Sequence, residues 1–385
     1  MAYTVLARRY RSRDFDEVVG QEPIARTLRN AIDAERVAHA YLFCGTRGVG
    51  KTSMARIFAQ ALNAPRASNA AREEVEQAIM TGRDADVIEI DAASNRGVDD
   101  ARELIANCIY MPLRGPYKIY IIDEVHMLTR EASNALLKTM EEPPEHVKFI
   151  LCTTEPEKIL PTIRSRCQRF DFRDIPTTRI AGHLARVVEQ EDKEADPELL
   201  HTLARMAGGS MRDGLSLLDR LLAVGDQRLT MEALEEILGL PPRDLLSAII
   251  DAIAAGDAKA ALEAGHAVLA SGVAPDQVLG VLAHRFRDLM LLAACGEESD
   301  LVDLAESTLA EERERAAGFD AAGRTHLIAV CASLQRSLRD SPMARALFDA
   351  GLVRMALSER IADVVGLLDG SANAKTPAKA SAKKA

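Results

Sequence analysis

Gly45-Thr46-Arg47-Gly48-Val49-Gly50-Lys51-Thr52 fits the pattern G-x-x-x-x-G-K-T, and the class of the surrounding fold follows from it. The stretch lies between a short apolar run that ends at Cys44 and a helix-like segment that begins at Lys51. Glycines in such a loop let backbone N–H groups surround phosphate groups, and the helix N-terminus adds partial positive charge. We predict that Lys51 reaches the β- and γ-phosphates and that the Thr52 hydroxyl binds Mg²⁺. The alternative is a chance glycine-rich turn, which needs neither a strand before it nor a helix after it.

Strand-like and helix-like patterns alternate on both sides of this loop. Short apolar or alternating runs, separated by helical stretches, are typical of a parallel sheet with helices on both faces. The predicted strands are 40–44, 86–91, 118–123 and 147–152, with 168–172 as an edge strand. An α/β domain is therefore predicted over residues 1–175.

From about Pro176 the strand signal disappears. Amphipathic patterns up to Leu238 predict a small all-helical domain over 176–240, which ends at Gly239-Leu240-Pro241-Pro242. Further helical patterns predict a second all-helical domain over 243–368, in which Pro275 occupies the first turn of a helix. Residues 369–385 are rich in Ala, Lys and Ser and cannot bury a core, so this tail is predicted to be disordered.

Composition excludes several classes of protein. Of the 385 residues 48% are apolar, which is enough for a proper core, and 28% are charged, which excludes disorder throughout. Aromatic residues make up 4%, which disfavours a stacking-based nucleic-acid binder, and the formal charge of −10 requires any DNA contact to come from a local patch. The six scattered cysteines contain no C-x-x-C pair and are expected to be buried thiols. The N-terminus has no apolar signal core and no apolar run reaches about 18 residues, so we expect a soluble, cytoplasmic protein without membrane contact.

An acidic pair, Asp123-Glu124, ends the predicted strand at 118–123. A carboxylate at the carboxyl end of a buried strand can hold a metal through its water shell, the role predicted for Asp123. A second carboxylate beside it can accept a proton from an attacking water, the role predicted for Glu124. The alternative is a solvated acidic turn, which the neighbouring phosphate loop disfavours.

Two arginines, Arg166 in Ser165-Arg166-Cys167 and Arg212 in the segment Gly208–Asp213, allow two interpretations. Most arginines of this kind form surface ion pairs. Phosphoryl transfer, however, commonly uses guanidinium groups at the γ-phosphate. The residue types alone leave both interpretations open.

Six stretches in the same order resemble the gamma/tau family of bacterial DNA polymerase III clamp-loader ATPase subunits, which are AAA+ proteins. They are VLARRYRSRDFDEVVGQE, HAYLFCGTRGVGKTSMAR, EIDAASNRGVDDAR, IYIIDEVHMLTREASNALLKTMEEPPEHVKFILCTTEP, PTIRSRCQRFDF and GGSMRDGLSLLD. The resemblance covers residues 1 to about 365. It implies an α/β AAA+ ATPase domain, then a helical lid, then a helical collar that joins subunits.

The resemblance also implies roles for single residues. Thr154 matches the first sensor of the γ-phosphate or the attacking water. Arg166 matches an arginine finger that acts on the ATP of a neighbouring subunit, and Arg212 matches the second sensor, which ties the lid to the γ-phosphate. The remaining nucleotide-binding residues lie in the adenine-pocket segments and in the phosphate loop: Ala7, Tyr10, Val18, Val19, Gly45, Thr46, Arg47, Gly48, Val49, Gly50, Lys51, Thr52 and Ser53. Asn95 and Arg96 match a helix start that faces DNA, although an exposed Arg96 with no such role is an equal alternative.

The sequence departs from the family pattern in two places. Family members usually carry four cysteines of a zinc module between the phosphate-loop helix and the EIDAAS strand, whereas residues 63–78 here contain neither cysteine nor histidine. Since zinc needs about four such ligands, no zinc site is predicted. The chain also stops soon after the collar, which is the extent expected of the short form of the family or of a longer chain cut to that length.

The resemblance implies an ATPase of the DNA polymerase holoenzyme that uses ATP and Mg²⁺ to load a sliding clamp on primer–template DNA. Its implied partners are delta-type and delta-prime-type loader subunits, further copies of itself, the clamp and DNA. One alternative is another AAA+ machine, such as a branch-migration helicase or an initiator. Another is a non-hydrolysing scaffold subunit of the loader, a class that tends to lose the loop lysine or the acidic pair.

Overall fold

Five parallel strands form the central sheet of the N-terminal unit. They are β1 (Ala40–Cys44), β2 (Val87–Asp91), β3 (Lys118–Asp123), β4 (Val147–Thr153) and β5 (Gln168–Asp171). Their order across the sheet is β2-β3-β4-β1-β5, and every pairing is parallel. The middle strands β1 and β4 are buried along their whole length, as expected for near-continuous apolar runs covered on both faces. The predicted fold class is confirmed, and β5 lies at an edge as predicted.

The computed structural model describes residues 4–64, 69–94, 106–224, 227–296, 299, 301–304, 306–339 and 341–368. The chain divides into two compact units, Met1–Arg228 and Leu229–Ala385. The predicted tail 369–385 and the predicted DNA residues Asn95 and Arg96 lie outside the described residues.

Helices cover both faces of the sheet. Before and between the strands lie α1 (Leu6–Arg9), α2 (Glu22–Asp33), α3 (Lys51–Asn63), α4 (Asn69–Thr81), α5 (Arg130–Glu141) and α6 (Pro161–Arg164), with 3₁₀ turns at Val125–Met127 and Pro156–Lys158. Met54 and Phe58 of α3 pack with Tyr41 and Phe43 on one face. Leu136 of α5 packs with Tyr120, Phe149 and Leu151 in a second cluster. Because side chains alternate along a strand, β1, β2, β3 and β4 each contribute to both clusters, whereas the edge strand β5 contributes only Phe170, to the first.

Because all five strands are parallel, their carboxyl ends lie at one edge of the sheet. Cys44 of β1 pairs with Thr153 of β4, and Asp91 of β2 pairs with Asp123 of β3. The phosphate loop follows β1, the acidic pair ends β3, and Thr154 follows β4. In open α/β sheets ligands bind beyond these carboxyl ends, so the topology itself gathers the predicted site.

A helical segment completes the N-terminal unit, and we call it the lid. It contains α7 (Thr177–Gln190), α8 (Pro197–Met206) and α9 (Met211–Leu222). The sequence did not predict the two-residue strands β6 (Glu194–Ala195) and β7 (Arg228–Leu229), because two residues carry no periodicity.

The C-terminal unit is all-helical in its described residues apart from the end of β7. Its helices are α10 (Met231–Leu238), α11 (Arg243–Ala254), α12 (Ala258–Ala270), α13 (Pro275–Cys295), α14 (Glu306–Ala317), α15 (Ala321–Leu338) and α16 (Ala344–Leu368). Pro275 occupies the first turn of α13 as predicted. Phe286 and Phe348 lie in one apolar core, beside which Arg285 pairs with the buried Glu312. This compact unit includes α10, whereas the sequence analysis assigned that segment to the preceding helical domain. The predicted domain boundary at residue 240 stays a prediction.

All six cysteines lie in the described part of the chain and none forms a disulfide, but not all are buried. Four are buried as expected, and burial raises the pKa of Cys331 to about 12. Cys167 is half-buried, and Cys295 at the end of α13 is exposed, so the expectation of buried thiols is wrong for these two.

Among the described residues, the structure contains no helix that is both long and apolar enough to cross a membrane.

Candidate nucleotide-binding site

A cavity of about 620 Å³ lies at the carboxyl edge of the sheet, between the phosphate loop, the N-terminal segment and the lid. Most of the predicted nucleotide-binding residues line it. They are Ala7, Tyr10, Val18, Val19, Arg47, Gly48, Val49, Gly50, Lys51, Thr52, Ser53, Asp123, Glu124 and Arg212. Its size and mixed lining are those of a site for a small charged ligand.

Two glycines shape the phosphate loop. Gly45 has φ 151°, and a Cβ there would lie 2.6 Å from the carbonyl oxygen of Phe172. Gly48 has φ 81°, and its Cβ would lie 1.9 Å from Oγ of Ser210. The backbone therefore approaches the sheet at one position and the lid at the other, and a side chain would prevent both approaches.

Lys51 is buried under this loop, with 5% of its surface exposed. Its ammonium donates to the carbonyl oxygens of Gly45 at 2.8 Å and Thr46 at 2.7 Å. Burial lowers the pKa of Lys51, while the carboxylates of Glu124 and Asp123 act in the opposite direction. Two carbonyl oxygens and two nearby carboxylates thus offset the free-energy cost of burying the charge of Lys51. The buried ammonium group can bind an anion such as a phosphate.

Thr52 and Asp123, the two residues predicted to bind Mg²⁺, lie in direct contact. The Thr52 hydroxyl donates to Oδ2 of Asp123 at 2.8 Å. A hydroxyl and a carboxylate are the hard oxygen ligands that Mg²⁺ prefers, and phosphate oxygens and water usually complete its coordination. In the described part of the chain no group of three or more His, Cys, Asp or Glu side chains could hold a metal by itself. The residues present therefore fit a magnesium ion that arrives with a nucleotide.

Glu124 is held by the residue predicted as the first sensor. Its backbone adopts a left-handed conformation with φ 48°, which is uncommon for a side chain of this size. Its Oε2 accepts from the Thr154 backbone N–H at 3.3 Å and from the Thr154 hydroxyl at 3.1 Å. Thr154 thus contacts the carboxylate and is absent from the described cavity lining.

The sequence analysis did not identify His126 as a site residue. Its side chain is 6% exposed and lies next to Glu124. Nδ1 of His126 lies 3.0 Å from Oγ1 of Thr153 and 3.5 Å from Oε2 of Glu124. Nε2 lies 3.2 Å from Oε1 of Glu155. His126 follows the acidic pair closely in the sequence Asp123-Glu124-Val125-His126. A single histidine after a strand, however, does not show which groups it will contact.

The lid reaches the phosphate loop through the start of α9. The Arg212 backbone nitrogen lies 3.4 Å from the Gly48 carbonyl oxygen, and the Arg212 side chain lines the cavity. Ser210 caps the helix by accepting from the Asp213 N–H at 3.2 Å. The lid also contacts the N-terminal segment, where the Tyr10 hydroxyl donates to the Glu191 carboxylate. The predicted second sensor therefore lies on an element that touches the loop directly.

The sequence analysis assigned no role to the remaining lining residues. They are Arg11, Ser12, Glu89, Asp91, Ala93, Ile175, His183, Met211 and Leu215. Glu89 forms a two-point ion pair with Arg56, at 2.7 and 2.8 Å. The pKa of Arg11 is lowered, and burial is the largest of several causes.

Arg166 lies away from the cavity of its own chain. Its Nη2 donates to Oε1 of Glu141 at 2.8 Å, and its Nη1 donates to the Thr162 carbonyl oxygen at 2.8 Å. About a third of the side chain, 34%, is exposed.

Three family models match consecutive parts of the chain. Residues 20–176 match the model of the DNA polymerase III delta subunit, and residues 179–227 match that of the ATPase lid domain of the DNA polymerase III clamp loader subunit. Residues 229–368 match domain III of the DNA polymerase III subunits gamma and tau.

Curated relatives carry the same names. DNA polymerase III subunit gamma/tau of Mycobacterium bovis is 41% identical over 360 residues, covering 91% of this chain and 62% of the relative. DNA polymerase III subunit gamma of Buchnera aphidicola is 40% identical over 248 residues, covering 63% of this chain and 67% of the relative. The chain thus spans about two thirds of the length of these two relatives, and 44% of DNA polymerase III subunit tau/gamma of Haemophilus influenzae. Among solved structures, the Thermotoga maritima RuvB Holliday junction branch migration motor aligns with a TM-score of 0.47 and 16% identity, covering 80% of this chain and 90% of that one.

The order of the three models follows the order of the described parts: the α/β sheet, the lid and the all-helical unit. The AAA+ fold class implied by the resemblance is thereby confirmed. This chain belongs to the gamma/tau family of DNA polymerase III clamp-loader subunits.

Proposed function

We propose that this chain is the ATP-driven motor subunit of a bacterial clamp loader, which couples ATP binding and hydrolysis to loading of a sliding clamp on primer–template DNA. The observation that carries the proposal is the contact of Thr52 with Asp123 beside the buried Lys51, in a cavity that the lid touches. These are the phosphate-binding and metal-binding residues typical of a phosphate-loop ATPase, in a chain of the gamma/tau family.

Binding uses charges that the structure already holds in place. Lys51 exchanges its bonds to the loop carbonyls for bonds to phosphate oxygens, and the loop N–H groups surround the same oxygens. Thr52 and Asp123 would hold Mg²⁺. When bound, the metal neutralises charge on the β- and γ-phosphates.

Hydrolysis uses Glu124 as the base. A water attacks the γ-phosphorus, the bond to the bridging oxygen of ADP breaks, and the proton of the water passes to the Glu124 carboxylate. Since Glu124 accepts two hydrogen bonds from Thr154, it must release at least part of this contact to reach a water. Arg212 brings the lid to the γ-phosphate, and Arg166 acts on the ATP of a neighbouring subunit.

Partners follow from the family. We propose delta-type and delta-prime-type loader subunits, further copies of this chain, the sliding clamp and primer–template DNA, with the cytoplasm as the location. The all-helical unit, which matches domain III of gamma and tau, is proposed as the collar that joins subunits. With a formal charge of −10, DNA contact requires a local patch, for which Asn95 and Arg96 stay the predicted residues.

The second candidate is a non-hydrolysing scaffold subunit of the same loader, which is favoured by the match of residues 20–176 to the delta subunit model. Such a subunit needs neither a proton acceptor nor a metal site. Lys51, Thr52, Asp123 and Glu124 are all present here and converge, which favours the motor.

The test is an ATP-binding and ATPase assay of the purified chain, alone and with clamp, other loader subunits and primed DNA. Lys51→Ala is expected to abolish both activities, because the loop loses its point charge. Lys259→Ala, which removes an exposed lysine of the C-terminal unit, serves as the matched control and should behave as wild type. Tight ATP binding by Lys51→Ala would contradict the assignment of the loop. ATP binding by the wild type without turnover in any complex would favour the scaffold.

A further inference from the structure

His126 joins the turn that follows the proposed base to the central sheet. It lies in the 3₁₀ turn Val125–Met127, and its Nδ1 lies 3.0 Å from Oγ1 of Thr153. Thr153 is fully buried at the end of β4, pairs with β1, and accepts from the Gly45 backbone N–H at 3.2 Å through its carbonyl oxygen. The turn after Glu124 is therefore attached, through His126, to a firmly held point of the sheet.

The hydrogen bonds of Thr153 indicate which nitrogen of His126 carries a hydrogen. Oγ1 of Thr153 accepts from the Glu155 backbone N–H at 3.0 Å, which leaves its own hydrogen to donate to Nδ1 of His126. A neutral imidazole then carries its hydrogen on Nε2, which lies 3.2 Å from Oε1 of Glu155. The pKa of Glu155 is lowered, mainly by its hydrogen bond with Lys158, so an ionised carboxylate faces this N–H. His126 thus contacts the residues on both sides of Thr154.

Glu124 needs support from its surroundings because its backbone is strained. Its φ of 48° is in the left-handed region, and a long side chain keeps this conformation only where the structure on both sides is fixed. Strand β3 fixes the preceding residue, Asp123. The turn fixes the other side, since the Met127 N–H donates to the Glu124 carbonyl oxygen at 2.8 Å. Attachment of this turn through His126 therefore helps to set the direction of the Glu124 side chain, which contacts Thr154 and lines the cavity.

We propose that His126 is a positioning residue for ATP hydrolysis, which holds the Glu124 carboxylate at the edge of the cavity through its contacts with Thr153 and Glu155. This inference rests on the proposed hydrolysis with Glu124 as the base. His126 is absent from the described lining of the cavity, so it acts through Glu124 and not on the nucleotide. ATP binding should then be independent of His126, and the effect of removing its nitrogens should require an intact Glu124.

The first test separates ATP binding from hydrolysis in two variants. His126→Phe keeps a ring but removes both nitrogens, whereas His126→Asn keeps a carbonyl oxygen that can accept from the Thr153 hydroxyl. Equilibrium ATP binding is measured by calorimetry on the full chain, and single-turnover hydrolysis is measured in the assembled loader. We expect unchanged ATP affinity in both variants and hydrolysis roughly 10- to 100-fold slower in His126→Phe, the effect of a displaced catalytic group. His126→Asn should lose distinctly less.

The second test repeats these substitutions in the Glu124→Gln background. If His126 acts through the Glu124 carboxylate, the double variant should hydrolyse ATP no more slowly than Glu124→Gln alone, because effects on one catalytic unit are not additive. A merely structural role would instead add its own loss of rate. His126→Asn is measured in both backgrounds as well, so the comparison does not depend on the folding of His126→Phe.

His146→Phe is the matched control. His146 contacts the Cys108 carbonyl oxygen through Nε2 at 3.1 Å and precedes β4, so it lies at the opposite edge of the sheet from Thr153. This variant should bind and hydrolyse ATP as the wild type does.

Three results overturn the inference alone while wild-type hydrolysis is intact. They are a wild-type rate in His126→Phe, an equal loss in His126→Asn and His126→Phe, and a further loss of rate when either substitution is added to Glu124→Gln. Weaker ATP binding in both variants also contradicts it, since the nitrogens would then serve the nucleotide site. Absence of ATP hydrolysis by the wild type in any complex overturns the proposed function itself, and this inference with it.

Discussion

At the scale of single residues, Glu124 can be tested without disturbing its surroundings. Glu124→Gln keeps a carbonyl oxygen that can accept both hydrogen bonds from Thr154, but glutamine cannot take a proton from water. We expect unchanged ATP affinity and turnover in the assembled loader reduced by about 10²–10⁴-fold, the usual contribution of a positioned base. Equilibrium binding and steady-state phosphate release measure the two effects separately.

Glu157→Gln is the control for this prediction, since Glu157 is an exposed carboxylate of the turn at Pro156–Lys158. It should leave both quantities unchanged. Turnover near the wild-type rate in Glu124→Gln would assign the base to another residue.

At the scale of elements, the phosphate loop and the start of α9 fit together only if position 48 has no side chain. Gly48→Ala would place Cβ 1.9 Å from Oγ of Ser210 and force alanine to adopt φ 81°. The left-handed conformation alone costs about 1–2 kcal/mol. We expect weaker ATP binding and a melting temperature lower by about 2–8 °C, measured by calorimetry.

Gly182→Ala makes the same chemical change at a position where we expect the melting temperature to rise instead of fall. Gly182 lies inside α7, and a Cβ there meets no atom within 4 Å. Alanine stabilises a helix interior by about 0.5–1 kcal/mol relative to glycine, so the melting temperature should rise. Equal effects of the two substitutions would contradict the proposed contact between loop and lid.

At the scale of the whole molecule, Arg166 is predicted to act on a neighbouring subunit. It pairs with Glu141 in its own chain and is absent from the described lining of its own cavity. Arg166→Ala should therefore leave the ATP affinity of the isolated chain unchanged and reduce hydrolysis in the assembled loader by about 10³-fold or more. Loss of a partly exposed ion pair costs at most about 1 kcal/mol, so folding is not expected to suffer.

Mixed assemblies give the decisive measurement. Subunits with Lys51→Ala and subunits with Arg166→Ala, mixed in one complex, place some intact Lys51 sites beside an intact Arg166. Those interfaces should recover hydrolysis that neither variant shows alone, while Arg169→Ala, which removes an exposed arginine of β5, should hydrolyse ATP as wild type. Complexes that assemble but recover nothing would identify Arg166 as a structural ion-pair residue.

The purified protein is also expected to contain no stoichiometric zinc, because residues 63–78 contain no cysteine and no histidine. A chelator should then leave the melting temperature unchanged in calorimetry. One zinc per chain by elemental analysis would contradict this prediction and require ligands from elsewhere in the chain.

The sequence by itself determined the features that depend on neighbouring residues. The loop at 45–52, the apolar strands and the amphipathic helices were predictable because their signals are local: glycine positions, a period of two, or a period of 3.6. The roles proposed for Thr154, Arg166 and Arg212 came instead from family resemblance, since an isolated threonine or arginine carries no pattern.

The tertiary structure alone decided which distant residues meet. Thr52 contacts Asp123 because β1 and β3 end at one edge of the sheet, an arrangement set by strand order rather than by either segment. Glu124 binds Thr154 for the same reason. His126 could not be found from sequence, because a histidine has no characteristic spacing and its role depends on which groups surround its two nitrogens. Its surroundings are produced by the ends of two strands that are separated in the chain, so only the folded arrangement determines them.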